Sequence, residues 1–227
     1  SNTGFSKNQT SNEQGWMWAR GQGFDVVTYT GNGSARQIRH SLNQVPEMIF
    51  TKNRTTDYEW NHYHKGLNGG TNPEQYYLQF TTAAEVQNSG RWNDQAPTAT
   101  HFSIGNHASV NANNADIIAM LFSSVDKISK VGSYTGSDST ITITTGFQPR
   151  FLMVKNRTST GTGYTGWYIV DTTRGWASGN DQWLRLDSNV EQGPYDFGAP
   201  TSTGFTLTGN NVDINDSGSS YIYYAHA

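Results

Sequence analysis

The amino-acid sequence predicts an all-β protein made of two tandem β-sandwich domains, jelly-roll-like and related by an internal repeat. Three observations predict it. Short blocks of sequence recur in the same order at offsets of 103 to 106 residues. Charged residues make up only 15% of the 227, so the polar share falls to Gly, Ser, Thr, Asn and Gln, which favour strands and turns over exposed helix. Apolar or alternating segments of strand length are separated by Gly/Asn/Ser/Thr clusters.

The blocks follow one another along the chain. Ser1 to Gln14 is polar and is not a secretory signal, so any export would use another route such as cell lysis. Gly15-Trp16-Met17-Trp18 matches Ala119-Met120-Leu121-Phe122 and Tyr223-Tyr224-Ala225 in its position before the next unit, and Thr3-Gly4-Phe5 echoes Thr203-Gly204-Phe205. Residues 1–23 therefore read as the closing strand of an upstream unit and a linker, with the chain beginning inside a longer array. Residues 24–126 are the first repeat and 127–227 the second. Tyr29-Thr30-Gly31 returns as Tyr134-Thr135-Gly136, and the block from Pro46 to Thr55 returns as Pro149 to Thr158. Tyr77-Leu78-Gln79-Phe80 aligns with Trp183-Leu184-Arg185-Leu186, Phe102-Ser103-Ile104 with Phe205-Thr206-Leu207, and Val110-Asn111 with Ile214-Asn215. Small changes of offset mean insertions and deletions, which loops absorb and buried strands do not. Strands are expected at Glu47 to Lys52, Tyr76 to Phe80 and Ile117 to Phe122, with turns at Thr30 to Ser34, Asn68 to Pro73 and Gly209 to Asn211. About one hundred residues per unit is enough for an independent core, which favours two domains over two halves of one sandwich.

Composition narrows the function classes. Seven Trp, twelve Tyr and ten Phe supply the apolar area that a disordered chain lacks. A net charge of −3 without a run of like charges lacks the footprint of a nucleic-acid binder, and no apolar stretch is long enough to insert in a membrane as a helix. The absence of cysteine excludes disulfides, thiolate metal sites and a Cys nucleophile.

The repeated blocks resemble a known family. They are Gly23-Phe24-Asp25-Val26-Val27, Tyr29-Thr30-Gly31-Asn32-Gly33, Pro46-Glu47-Met48-Ile49, Lys52-Asn53-Arg54, Tyr63-His64, Trp92-Asn93 with Ala96-Pro97-Thr98, Ile128 to Gly136, and Arg174-Gly175 with Ser178-Gly179-Asn180-Asp181. Together they resemble the paired β-domains at the C-terminal ends of large virion proteins of marine tailed phages, especially cyanophages, over nearly the whole chain. The resemblance implies a virion structural protein, a fibre or another surface appendage, which meets other virion proteins and assembles as a homo-oligomer, with a trimer favoured. It supplies no catalytic residue and no defined ligand. The chain departs from it at Tyr221 to Ala227, where a plainer apolar strand is usual.

Candidate sites follow from residue chemistry. His62 and His64 project from one face of a strand and could ligate a metal, but Ile169 and Asp171 stand at the matching places and no third ligand is evident. His40, His101, His107 and His226 read as surface residues. The oxygen-rich segments Asn111 to Asp116 and Asn210 to Asp216 read as tight turns by default. The second, through Asp213, Asn215 and Asp216, would suit calcium. Lys52-Asn53-Arg54 and Lys155-Asn156-Arg157 could grip an acidic group, but their duplication favours strand ends that pair with their own loops. Sugar rings stack on Trp and Tyr while amides and carboxylates bond the hydroxyls. That chemistry is present at Tyr58 to His62, Gly90 to Asp94 and Arg174 to Trp183. Trp60 and Trp167 align across the repeats, which favours packing. Trp92 and Trp176 have no counterpart, so Trp92, Asn93, Trp176, Asn180 and Asp181 are the expected contacts with a host-surface glycan. Carboxylates such as Glu47, Asp57, Glu74 and Asp171 are present, but no Gly-x-Ser-x-Gly, phosphate loop or His-Glu-x-x-His pattern occurs, and no enzyme is expected. An appendage for attachment or assembly leads. A capsid or tail decoration without a receptor role comes next, and a glycan-degrading enzyme last.

Overall fold

A computed structural model describes residues 15–81, 83–159, 165–209 and 211–227. Thr3-Gly4-Phe5, and Asn210 of the predicted turn and calcium segment, lie outside the described residues. The first repeat contains β1 (Phe24–Thr30), β2 (Arg36–Arg39), β3 (Met48–Asn53), β4 (Asn61–His64), β5 (Tyr76–Tyr77), β6 (Val86–Gln87), β7 (His101–Ile104) and β8 (Asp116–Phe122), with one-turn helices α1 (Ser89–Trp92) and α2 (Ala108–Asn111). The second contains β9 (Ser129–Thr135), β10 (Ile141–Thr144), β11 (Phe151–Asn156), β12 (Trp167–Asp171), β13 (Asp181–Arg185), β14 (Gly193–Tyr195), β15 (Pro200–Thr201), β16 (Gly204–Leu207) and β17 (Ser220–His226). The chain is all-β, as its composition indicates. The expected strand from Tyr76 to Phe80 is shorter, two ladder residues followed by a bridge from Leu78 to His62.

The pairing order is the same in both halves. β1-β8-β3-β4 form one antiparallel sheet, and β9-β17-β11-β12 form the corresponding part of a six-stranded sheet that β13 and β14 extend. β2-β7 in the first repeat and β10-β16-β15 in the second form smaller sheets. They cover one face of each main sheet: Ile38, Phe102 and Ile104 pack on Ile49, Ala119 and Leu121, and Phe205 and Leu207 on Leu152, Val154 and Tyr223. Each half is thus sandwich-like.

The other face of each main sheet is covered as well. Alternate residues of β3, Met48 and Phe50, and of β11, Phe151 and Met153, enter a further apolar cluster with Phe122, Val131, Trp167, Ile169, Ile222 and Tyr224. Successive strand residues face opposite sides, so Ile49 and Leu152 serve their own repeats while their neighbours serve a core that the repeats share. The uninterrupted apolar runs Met48-Ile49-Phe50 and Phe151-Leu152-Met153-Val154 follow from this double burial. Polar links cross the same boundary. Arg157 Nη1 lies 2.5 Å from Glu85 Oε1 in a nearly buried pair, the Glu85 amide donates to Arg157 O at 2.9 Å, and Trp167 Nε1 donates to Gln79 O at 2.8 Å.

Residues 15–19 belong to no strand, which corrects the reading of Gly15 to Trp18 as the closing strand of an upstream unit. The alternating pattern has a different cause. Trp16 and Trp18 turn inward and cover the end of the shared core, while Met17 is 75% exposed. Trp18 packs on Phe122 at 5.9 Å and Phe151 at 5.5 Å, both edge-on, and Trp16 Nε1 donates to Asp171 Oδ2 at 3.2 Å. One short segment therefore clasps both repeats.

At the opposite end of the sheets, the recurring blocks knit loops together. Tyr29 Oη donates to Val110 O at 2.8 Å and Tyr134 Oη to Ile214 O at 2.6 Å. Gly31 and Gly136 pass so close to the next loop that a Cβ would fall 2.0 Å from Ala112 O and 2.1 Å from Asp216 O. Asn111 and Asn215 are fully buried. Each accepts one backbone N–H, from Asn32 and Ser137, and each donates to two carbonyls, Ser34 O with Gly105 O and Ser139 O with Thr208 O. Buried amides satisfied at both ends hold loops in one arrangement.

Candidate functional site

Trp92 and Trp176 are not surface residues. Each is 2% exposed and closes the core of its own repeat, and each indole N–H is taken by a backbone carbonyl, Tyr76 O of β5 and Gly198 O, both at 3.0 Å. A lack of sequence counterpart reflects different loops around similar plugs, and neither ring can meet a glycan. Asn93 is half-buried in the left-handed region after α1. Beside it, Gln75, Gln87, Asn88, Ser89 and Asp94 line an open polar cleft of about 470 Å³. Asn180 is exposed. Asp181 is fully buried and accepts from the Ala177 and Phe197 amides, both at 2.9 Å. Burial pushes its carboxyl up to about 6 against those two bonds. Its work is to organise the loop before β13.

The strands that extend the second sheet carry the more developed surface. β13 pairs with β14 so that Asp181 faces Tyr195 and Trp183 faces Gly193, and β12 with β13 so that Tyr168 faces Arg185. Paired and i, i+2 residues share a sheet face, so Tyr168, Trp183, Arg185 and Tyr195 stand on one side. Trp183 is half-buried and lies over Gly193, where a Cβ would approach its ring to 3.0 Å. Tyr195 is 47% exposed. Arg185 sits 5.6 Å from the Tyr168 ring centre and 2.5 Å from Asp187 Oδ2. Among the described residues, Asp213 Oδ1 is shielded from solvent without a hydrogen-bond partner. Burial raises the Asp213 carboxyl to about 6, with the Tyr168 hydroxyl and Arg185 acting the other way. Behind them Lys155 is fully buried, donates to Thr165 O, and is lowered by burial to about 8. Perturbed groups gathered on one surface mark candidate sites. The sequence shows Trp183 at the end of the Arg174 to Trp183 segment and, with Arg185, in the block aligned with Tyr77 to Phe80, while Asp213 stands among the calcium candidates and Lys155 in a Lys-Asn-Arg block. The i, i+2 spacing of Trp183 and Arg185 is the signal it holds.

The calcium expectation does not survive at Asn215, whose amide is engaged at both ends. Asp216 Oδ2 accepts from Ser219 Oγ at 2.7 Å. The described residues contain no group of three or more His, Cys, Asp or Glu able to hold a metal ion. His62 and His64 lie in the shared core, 0% and 1% exposed, and His40 is buried with Nε2 3.1 Å from Thr98 O, so it is not a surface residue. The lysines and asparagines of the Lys-Asn-Arg blocks do pair with their own loops, whereas Arg157 pairs with Glu85 of the other repeat. Lys52 donates to Tyr58 O and Lys155 to Thr165 O, and Asn53 and Asn156 each accept two backbone amides of the following turn. Asp171, one of the candidate carboxylates, holds the Arg174 side chain at 2.7 Å. Among the described residues no helix is long and apolar enough to cross a membrane.

Fold and surface define a two-repeat, sandwich-like all-β protein with a half-exposed aromatic and charged face on its second repeat. The chain belongs to the family described as a domain of unknown function, DUF7483, whose model matches residues 7–227. No curated protein and no solved structure matches it.

Proposed function

We propose that the chain is a virion structural protein, a module of a tail fibre or another surface appendage of a phage, serving host attachment or particle assembly. The observation that supports this best is the shared core. The central strands of both main sheets are buried on both faces and the Trp16–Trp18 segment clasps the repeats together, which makes a stiff body that carries load and presents loops. The resemblance to cyanophage virion proteins supplies the setting. In this reading the partners are other virion proteins, further copies of the chain in a trimer, and a host-surface glycan. Neither catalysis, nucleic acid, membrane insertion nor a resident calcium ion has a part in it.

Gold-labelled antibodies against the chain, applied to purified particles, test the reading. Label at fibre tips or on an appendage is the expected result. Label on the capsid wall or along the tail tube would replace the appendage by a decoration. Absence of the chain from particles would end the virion reading.

A further inference from the structure

We infer that Trp183 and Tyr195, flanked by Arg185, form a platform for a neutral carbohydrate chain on the second repeat. Two rings stand on one sheet face along adjacent strands, since Tyr195 is opposite Asp181, the residue two before Trp183. The indole lies over Gly193, and Tyr168 meets it at an interplanar angle of 69° with centres 5.6 Å apart. Neither neighbour stacks parallel on the outward face of the indole. A flat indole supported from below offers its face to the C–H side of a sugar ring, and groups at its rim take the hydroxyls. Arg185, 5.6 Å from the Tyr168 ring centre on the same sheet face, donates there. Arg185 is already matched by Asp187 at 2.5 Å, so the surface has no surplus cation and suits a neutral sugar better than an acidic one.

The first repeat provides an internal comparison. Leu78 bridges to His62 and Leu184 pairs with Ile169, while His62 and Ile169 occupy matching places opposite Phe50 and Met153. Tyr77 therefore stands where Trp183 does. Its ring is covered by the Arg91 guanidinium, 4.2 Å from its centre. One repeat has a guanidinium on the ring, and the other has the Tyr168 ring edge-on to it.

This inference takes its biological setting from the appendage reading, but it is measured on the isolated chain, so each can fail while the other stands. The full chain is passed over an array of neutral hexose oligosaccharides and uronate-containing acidic ones, and hits are titrated by Trp fluorescence. Binding to at least one neutral chain is expected, weakened about tenfold or more by Tyr195→Ala and by Trp183→Ala, and partly kept by Trp183→Phe. Tyr195, being 47% exposed, can be removed without opening the core, so a misfolded Trp183 variant does not spoil the test. No binding to any neutral oligosaccharide, binding to acidic ones alone, or binding indifferent to the Tyr195 change would overturn the platform.

Discussion

Lowering the pH from 7 to 5 is expected to withdraw the stability that His62 and His64 contribute by staying neutral, and replacing them is expected to remove that pH-dependent contribution. Both side chains are buried where the two repeats meet. The His62 ring lies 4.4, 4.0 and 4.9 Å from the rings of Phe50, Phe80 and Trp167, and neither of its nitrogens has a hydrogen-bond partner among the described residues. Burial holds its pKa well below the usual value, helped by the Lys155 charge. His64 accepts from the Gly66 amide at 2.9 Å through Nδ1, which leaves Nε2 to donate to Tyr223 O at 3.3 Å. Burial lowers it to about 3; the Tyr223 carbonyl and Glu47 oppose the shift, and Lys65 and Arg157 assist it.

The sign follows from linkage. The unfolded chain takes up protons below about pH 6.5 while the folded chain does not, so stability present above that pH is lost as the pH falls. For His64 the loss at pH 5 is about 2 kcal/mol, and His62 adds to it in the same direction. Asp181 and Asp213, raised to about 6, act oppositely, because below that pH the folded state binds protons that the unfolded state does not. The histidine part is therefore read as a difference between variants. His62→Phe, which suits an aromatic cage, combined with His64→Gln should reduce the pH 7 to pH 5 change in urea-unfolding free energy by at least about 2 kcal/mol. An unchanged slope would mean that neither histidine is held neutral.

The second large effect is expected at the clasp. Truncating Trp18 removes a ring that touches Phe24, Phe122, Phe151 and Tyr224, and should cost about 3 kcal/mol, the lower part of the range for buried aromatics because Trp18 is half-buried. Met17→Ala, between the two tryptophans but 75% exposed, should stay within about 0.5 kcal/mol. Urea midpoints of the two variants make the comparison. Equal effects would show that the segment is not docked.

What the sequence made legible is the part that repeats. Tyr29 and Tyr134, Gly31 and Gly136, and Asn111 and Asn215 recur because each makes a contact that only that residue type can make, and the offsets between them already located the strands. The shared core was not legible, since a run such as Met48-Ile49-Phe50 says that both faces are covered and not by what. Trp16-Met17-Trp18 alternates like a strand because its rings are held in alternation by a core, without any ladder. The candidate site is the least legible part of the sequence. Trp92 and Trp176 have no counterpart in the other repeat, which points to exposure, whereas burial depends on how neighbouring loops close, and those loops differ between the repeats. Trp183 does have a counterpart, Tyr77, and what distinguishes them is whether a guanidinium from elsewhere lies on the ring.

The central claim is that a shared core makes the two repeats one body. Differential scanning calorimetry of the full chain tests it most directly. One transition is predicted, with a calorimetric enthalpy equal to the van't Hoff enthalpy. Two resolved transitions, or a van't Hoff enthalpy near half the calorimetric one, would show the repeats unfolding independently and would contradict the account.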